Sequence, residues 1–456
     1  MDVALLSRIQ FAFTMGFHII WPILTIGLVT FLAITEACWL KTDNPVYLKL
    51  YKFFAKIFAL AFGMGVVTGI PLAYQFGTNF SEFSHQAGAI IGPLLGVEVM
   101  TAFFLEAAFI GVMLFGWNHV SPKVHFLATV LVAVGTYNST FWVISANSWM
   151  QTPQGHGFEA GRMFVEDWWQ IIFNPSFPYR LSHMLVATYL SAALFVSGIC
   201  AYFLLKRVHI EVAKKGFKMA ILMVAILAPI QIFIGDLHGL HTKEHQPAKV
   251  AAIEALWETR QGAPLVLWAI PDRELATNRY AIEIPKLASL ILTHDWNGEV
   301  KGLNEFKEVG IPSVATVFYA FRLMVGLGTL FLFVGVWGAW ATYRGNLYRS
   351  RWLQRLSIIC APLGVVATIS GWIVTEVGRQ PWIIQGVMKT RDALSPIIPE
   401  IVSLSLLGFV IVYTLMGFAF LYYVHHLIQK GPETFVLEEE WLELVTHTAH
   451  ITPKGK

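Results

Sequence analysis

Nine apolar runs, each long enough to cross a bilayer, dictate what this chain can become. They fall at about 14–38, 54–76, 90–116, 124–147, 181–205, 217–238, 313–341, 354–375 and 401–425. A spanning helix needs about 20 such residues. Backbone in hydrocarbon must satisfy its own hydrogen bonds, so these runs are expected as helices. Composition agrees: only 13% of residues are charged, against roughly 25% in soluble domains. The fold class expected is an all-α integral membrane protein, one polytopic domain over 1–456 built as a bundle of about nine transmembrane helices.

Nine is odd, so the two termini lie on opposite sides. Basic residues choose the sides. They gather in the links after the first run (Lys41, Lys49, Lys52), the third (Lys123), the fifth (Lys206, Arg207, Lys214, Lys215) and the seventh (Arg344, Arg349, Arg351, Arg355). Those links are expected in the cytoplasm, with the N-terminus outside and the C-terminus inside. The net charge of +3 makes no case for nucleic acid. Cys38, Cys200 and Cys360 form no CxxC pair, so neither a disulfide framework nor a zinc site is suggested. The N-terminus has no basic stretch or small-residue cleavage site, and no removable signal peptide is expected.

Two outer links are long. Residues 148–180 carry Trp149, Trp168 and Trp169, suited to a segment lying on the membrane interface. Residues 239–312 form a longer loop with amphipathic stretches, and a long ordered loop is more often functional than idle. The tail, 429–456, is polar and expected in the cytoplasm.

Several runs carry groups that lipid disfavours. Glu376 ends the eighth run within Trp372-Ile-Val-Thr-Glu376-Val-Gly-Arg379-Gln-Pro381-Trp382. An ionisable group at such depth is a functional candidate by default, although pairing with Arg379 at a helix end would also account for it. His18, His183 and Met324 fall in the outer part of their runs, as do Glu98 and Glu376; Glu106 lies deeper. On a regular helix Glu98 and Glu106, eight residues apart, are offset by about 80° and about 12 Å. Each residue has an ordinary reading: the histidines as interhelical hydrogen-bonders, Met324 as packing, the two glutamates as a polar seam, Arg322 as a snorkelling cation. Their shared depth fits better with metal or heme ligation, for which His, Met and carboxylate are the available donors. His238, His241 and His245 match no ligand spacing and read as an interfacial polar turn.

These residues sit in motifs that resemble subunit I of cytochrome bd-type quinol oxidases over nearly the whole chain. The motifs are Leu6-Ser-Arg8-Ile-Gln-Phe-Ala with His18, Gly96-Val-Glu98 with Glu106, Asn147-Ser-Trp-Met-Gln-Thr-Pro153 and Ser182-His183-Met184. Lys249-Val-Ala-Ala-Ile-Glu254-Ala-Leu-Trp257, Phe321-Arg322-Leu-Met324-Val-Gly and Gly378-Arg379-Gln380-Pro381-Trp382 follow in order.

The resemblance implies three hemes near the outer surface of a bacterial inner membrane. His183 and Met324 would ligate a low-spin heme b, with Arg322 near its propionates. His18 would ligate one high-spin heme, with Glu98 beside it, and Glu376 the other. These two would be heme b plus heme d, or both heme b. Trp372 would lie among the hemes and Arg379 beside their propionates. Lys249 and Glu254 match a quinol-oxidising loop, here 239–312. Glu106 and Ser139 match the path that brings protons from the cytoplasm to reduce O2 to water. The implied partners are a multi-helix subunit II, in some members a small single-helix subunit, and membrane lipid.

The loop is the short version, as in the cyanide-insensitive branch, and Lys389 stands where that family pattern has arginine. A proton- or cation-coupled transporter, using the same buried carboxylates, is the competing reading, and a heme-free scaffold a third. A visible spectrum separates them.

Overall fold

The computed structural model describes residues 2–432, so the 429–456 tail lies almost wholly outside the described residues. The long helices are α1 (Val3–Thr42), α2 (Pro45–Thr78), α3 (Ser81–Phe115), α4 (Pro122–Gln151), α5 (Phe177–Lys206) and α6 (Ile210–His245). A short α7 (Pro247–Ile253) follows in the loop, then α8 (Val314–Tyr343), α9 (Arg351–Cys360), α10 (Leu363–Val377) and α11 (Pro399–Lys430). Eight of these are long and apolar enough to span alone, and α9 with α10 makes a ninth, bent by 41°. The bend falls at Ala361-Pro362, where proline withholds a donor and crowds the preceding turn. The eighth apolar run is therefore a broken span, not the straight one its hydropathy suggests.

Helix starts follow from local chemistry. Proline opens α2, α4 and α11, where a missing N–H costs nothing. The Asn44 side chain caps α2 by accepting from the Val46 N–H at 3.0 Å. α1 is the hub, packing on α2, α4, α5, α10 and α11. At Gly27 of α1 an added Cβ would lie 2.3 Å from the Thr188 carbonyl of α5, so only glycine allows the two backbones to come this close. α6 packs on α5 and α8, and α10 fills the space between α5 and α8. Phenylalanines of α1, α2, α5 and α6, among them Phe31, Phe54, Phe203 and Phe217, build the largest apolar core.

α3 is not a uniform helix. Val99–Phe103 is a π segment, which holds one residue more per turn than an α-helix. Glu98 and Glu106 are thus effectively seven residues apart, an offset of about 20° and not about 80°. Both point at α4: Glu98 accepts from Ser139 at 2.6 Å, and Glu106 packs against Gly135, one turn away.

The strands among the described residues form four two-stranded antiparallel pairs in the loop regions, two of them short: Arg260–Gln261 with Glu299–Val300, and Trp382–Ile384 with Met388–Lys389. β1 (His156–Glu159) and β2 (Arg162–Val165) form a hairpin in the first long link. β3 (Leu265–Asp272) and β4 (Thr277–Ile284) form a longer one after α7. Both face the same end of the bundle as the N-terminus of α8, here called the loop end. Trp149 is fully buried, whereas Trp168 and Trp169 are exposed as an interfacial segment would require. His238, His241 and His245 lie in the last two turns of α6, so the expected polar turn is helix. His241 is buried between Tyr179 and His245, and its Nε2 meets the Ser176 hydroxyl at 2.9 Å.

Candidate functional site

At the loop end, α1, α4, α5, α6, α8 and α10 bring the candidate residues together. His18 Nδ1 lies 2.9 Å from the Thr68 hydroxyl. That hydroxyl already donates to the Met64 carbonyl at 2.8 Å, so it accepts from the ring. This arrangement suits a ring with its proton on Nδ1 and its lone pair on Nε2, the state a metal ligand requires. Gly69 borders the ring, and an added Cβ there would lie 3.2 Å from Cε1.

His183 and Met324 are each set against a glycine. A Cβ on Gly235 would approach the His183 ring at 3.4 Å, and one on Gly371 would lie 2.8 Å from Met324 Sδ. The His183 Nδ1 is buried without a partner. Trp372, one residue beyond Gly371, reaches toward Gly16 of α1. Among the described residues no three His, Cys, Asp or Glu converge as a metal cage. Single donors from separate helices suit an iron that brings its own in-plane ligands.

Around Glu376 the structure gathers more positive charge than that carboxylate neutralises. Its Oε1 accepts from Asn147 at 2.9 Å and from Gln151 at 3.5 Å, and its Oε2 pairs with Arg379. Gln151 Oε1 in turn accepts from Lys249 at 2.9 Å and Gln246 at 3.0 Å. Arg180, Lys249 and Arg379 all act electrostatically on Glu376, and all three are buried. Burial pushes the Lys249 amine well below the ordinary lysine range; Arg180 adds repulsion, and Glu376 opposes both. Arg180 Nε and both Nε and Nη1 of Arg379 are buried donors with no acceptor. Unpaired buried charge is costly, so this cluster is built for an anion. The two carboxylate groups of a heme fit that demand.

Glu254 caps the end of α7 on the other side. It accepts from Arg322 Nη2 at 2.7 Å, while Arg322 Nε donates to the Val266 carbonyl at 2.7 Å and its guanidinium lies over Phe318 and Phe321. Burial raises the Glu254 carboxyl above the usual range, partly offset by Arg322. Lys249 and Glu254, read together from the sequence, thus face different partners: Lys249 the Glu376 cluster, Glu254 the arginine of α8.

A model of the family described as cytochrome bd terminal oxidase subunit I matches residues 6–432. The chain belongs to that family. It is 35% identical to cytochrome bd ubiquinol oxidase subunit 1 of Bacillus subtilis over 445 residues, covering 95% of each chain. It is 32% identical to cytochrome bd-II ubiquinol oxidase subunit 1 of Escherichia coli, covering 96% of this chain and 98% of the relative. The solved bd oxidase of Geobacillus thermodenitrificans superposes with a TM-score of 0.88 at 29% identity, over 94% of this chain and 99% of that one. This bd-family subunit is therefore part of a quinol oxidase, an enzyme of respiratory electron transport with heme as cofactor and a second subunit as partner.

Sequence reading singled out the candidate donors but did not single out Arg180, Gln151 and Gln246. Arg180 sits at a helix start, where a basic residue ordinarily snorkels; only its spacing of three from His183 hints at more. The two glutamines carry no charge pattern to betray them. A second buried cluster also went unread: Glu36 with His125 at 2.6 Å and Thr129 at 2.6 Å, Thr129 with Tyr51 at 2.8 Å, and Trp117 stacked on His125. It lies at the opposite end of α1, away from the site.

Proposed function

We propose that this subunit holds the hemes of a bacterial inner-membrane oxidase that takes electrons from quinol at its outer face. It reduces O2 to water with protons drawn from the cytoplasm, and builds a proton-motive force without pumping. The observation that carries the reading is the division of α7. Lys249 joins the buried cation cluster around Glu376, and five residues later Glu254 meets Arg322 beneath the loop. One short helix thereby couples the cofactor pocket to the loop.

Heme, when bound, supplies one-electron chemistry and the site at which oxygen binds. His183 and Met324 would hold the low-spin heme b. His18 and Glu376 would hold the two high-spin hemes, heme b with heme d or both heme b, with Glu98 beside the first. Trp372, which reaches toward Gly16 of α1, would lie among them. Arg180, Arg379 and Lys249 would bind the propionates; Arg322, paired with Glu254, is better assigned to the quinol side. Glu254 accepts a proton from the quinol hydroxyl, its raised affinity bringing it nearer the working pH, and Arg322 orients the carboxylate.

Glu106, Ser139 and Glu98 form the polar seam for incoming protons. A carboxylate in lipid costs about 2.5–3.5 kcal/mol on insertion scales, so a relay role accounts for retaining Glu106 there. Basic residues in the odd-numbered links support an outward N-terminus and an inward C-terminus. Subunit II and, in some assemblies, a small single-helix subunit complete the enzyme.

The test is the visible spectrum of the purified complex, oxidised and dithionite-reduced, with oxygen uptake on added quinol. Heme bands and quinol-dependent uptake are expected; a protein without either would end the proposal.

A further inference from the structure

We propose that the β3–β4 hairpin is seated in the lipid interface and forms the sill over which membrane-dissolved quinol reaches Glu254. The seat rests on the hairpin's own geometry; its use rests on the quinol-oxidase reading above. One face of the hairpin is accounted for, because Val266 and Ala269 are buried against Phe318 and Val317 of α8. The opposite face should then be polar, as in an antiparallel pair with one side in water. It is apolar instead. Trp268 pairs directly with Ile282 across the strands, Ile284 follows two residues beyond Ile282, and Ile270 lies past a bulge opposite Arg279. These four are 52%, 59%, 39% and 47% exposed, and Tyr280 beside them is 82% exposed. A contiguous apolar patch of this kind marks a membrane or a partner.

Depth favours the membrane. Trp268 packs on Tyr319, whose hydroxyl donates to the Ala269 carbonyl at 2.8 Å. Tyr319 is the sixth residue of α8, so it lies about 8 Å below the helix start. α8 has 30 residues and is about 45 Å long, matching a bilayer with its headgroups at about 40–45 Å. The contact therefore falls inside the headgroup zone, where Trp and Tyr are favoured. The surface is continuous with lipid-facing helix, since Leu323 lies one turn beyond Tyr319 on α8 and is exposed. Charge gathers toward the far tip, where Asp272 and Arg279 pair beside exposed Arg273 and Glu274; Glu283, between Ile282 and Ile284 on the strand, is paired with Val266 and points to the other face. Val266, whose carbonyl anchors Arg322, lies on the same strand as Trp268. A headgroup passing over this strand arrives at the Glu254–Arg322 pair without leaving the membrane.

The test uses the whole oxidase complex in phosphatidylcholine–phosphatidylglycerol vesicles, with Cys38 replaced by serine and a nitroxide on Ile282→Cys or, at the tip, Arg273→Cys. Relaxation at 282 should respond more to dissolved oxygen than to a water-soluble nickel chelate, with the reverse at 273. A nickel-dominated response at 282 would overturn the seat, as would shielding from both reagents, which would mean that protein covers the face. For the sill, Ile282→Asp should raise KM several-fold for a long-chain quinol, leaving kcat and the KM of a short-chain, water-soluble quinol unchanged. Equal effects on both quinols would overturn it. Failure of the unsubstituted complex to oxidise any quinol would instead strike the proposed function, and the nitroxide result would still decide the seat.

Discussion

Ser139 donates to Glu98 at 2.6 Å, and the residue one turn before it on α4 is Gly135, the position that makes room for Glu106. A Cβ on Gly135 would stand 2.6 Å from Glu106 Cγ. One face of α4 therefore holds both Glu98 and Glu106 of α3.

Glu106→Gln removes the titratable group and is expected to slow oxygen reduction with the heme spectrum intact. Gly135→Ala should act in the same direction by displacing the carboxylate, with an overpacking cost of about 1–3 kcal/mol. Oxygen-electrode rates at saturating quinol, normalised to heme, check both. Full activity in Glu106→Gln would remove the relay.

Met324→Leu keeps the volume beside Gly371 and removes the sulfur. The low-spin signal should be lost from the reduced spectrum with the high-spin bands retained. An unchanged spectrum would count against Met324 as ligand.

Arg180→Met addresses the cation cluster. Without cofactor, one unpaired buried charge fewer should leave the protein as stable or more stable. With cofactor, a charge-assisted hydrogen bond worth about 1.5–3 kcal/mol is gone, so the heme-to-protein ratio should fall. Pyridine hemochrome assay and a thermal melt, taken together, separate the two effects.

Burial raises the carboxyl of Glu254 and Arg322 opposes that rise. If deprotonated Glu254 takes the quinol proton, kcat/KM falls on acidification at a pH above the ordinary carboxylate range. Arg322→Gln removes the opposing charge, so the acid limb should move further toward alkaline pH. A pH–rate profile of both proteins reads the shift; a limb that stays in place would exclude Glu254 as the titrating group.

His125→Leu leaves Glu36 buried without its histidine. Leaving a buried hydrogen-bonding group without its partner costs about 1–3 kcal/mol, so a drop in melting temperature is expected with the heme spectrum unchanged in the folded fraction. Glu36→Gln with His125→Leu should recover part of the loss.

The bundle was legible in the sequence because bilayer thickness leaves so little freedom. Nine runs of the right length can only become about nine spans, and Pro362 alone complicated one of them. The ligand candidates His18, His183, Met324 and Glu376 were visible as groups that lipid should reject. Arg180 was not, since a cation at a helix mouth is ordinary and its burial depends on α10 and α7, remote in sequence. The phase of Glu106 was misjudged for a different reason. No residue type marks a π segment, and Val99-Met-Thr-Ala-Phe103 is as compatible with an ordinary helix.

That segment has a consequence for how the subunit tolerates change in length. Deleting one residue of 99–103 would let α3 close into an unbroken helix with Glu98 and Glu106 seven residues apart, so the two would keep their shared face. Adding one residue there instead would turn Glu106 by about 100°, from Gly135 toward the bilayer, although no side chain of the seam had been altered. Alignment of this polar seam is thus counted in residues: one codon lost is absorbed by the π segment, one gained is not.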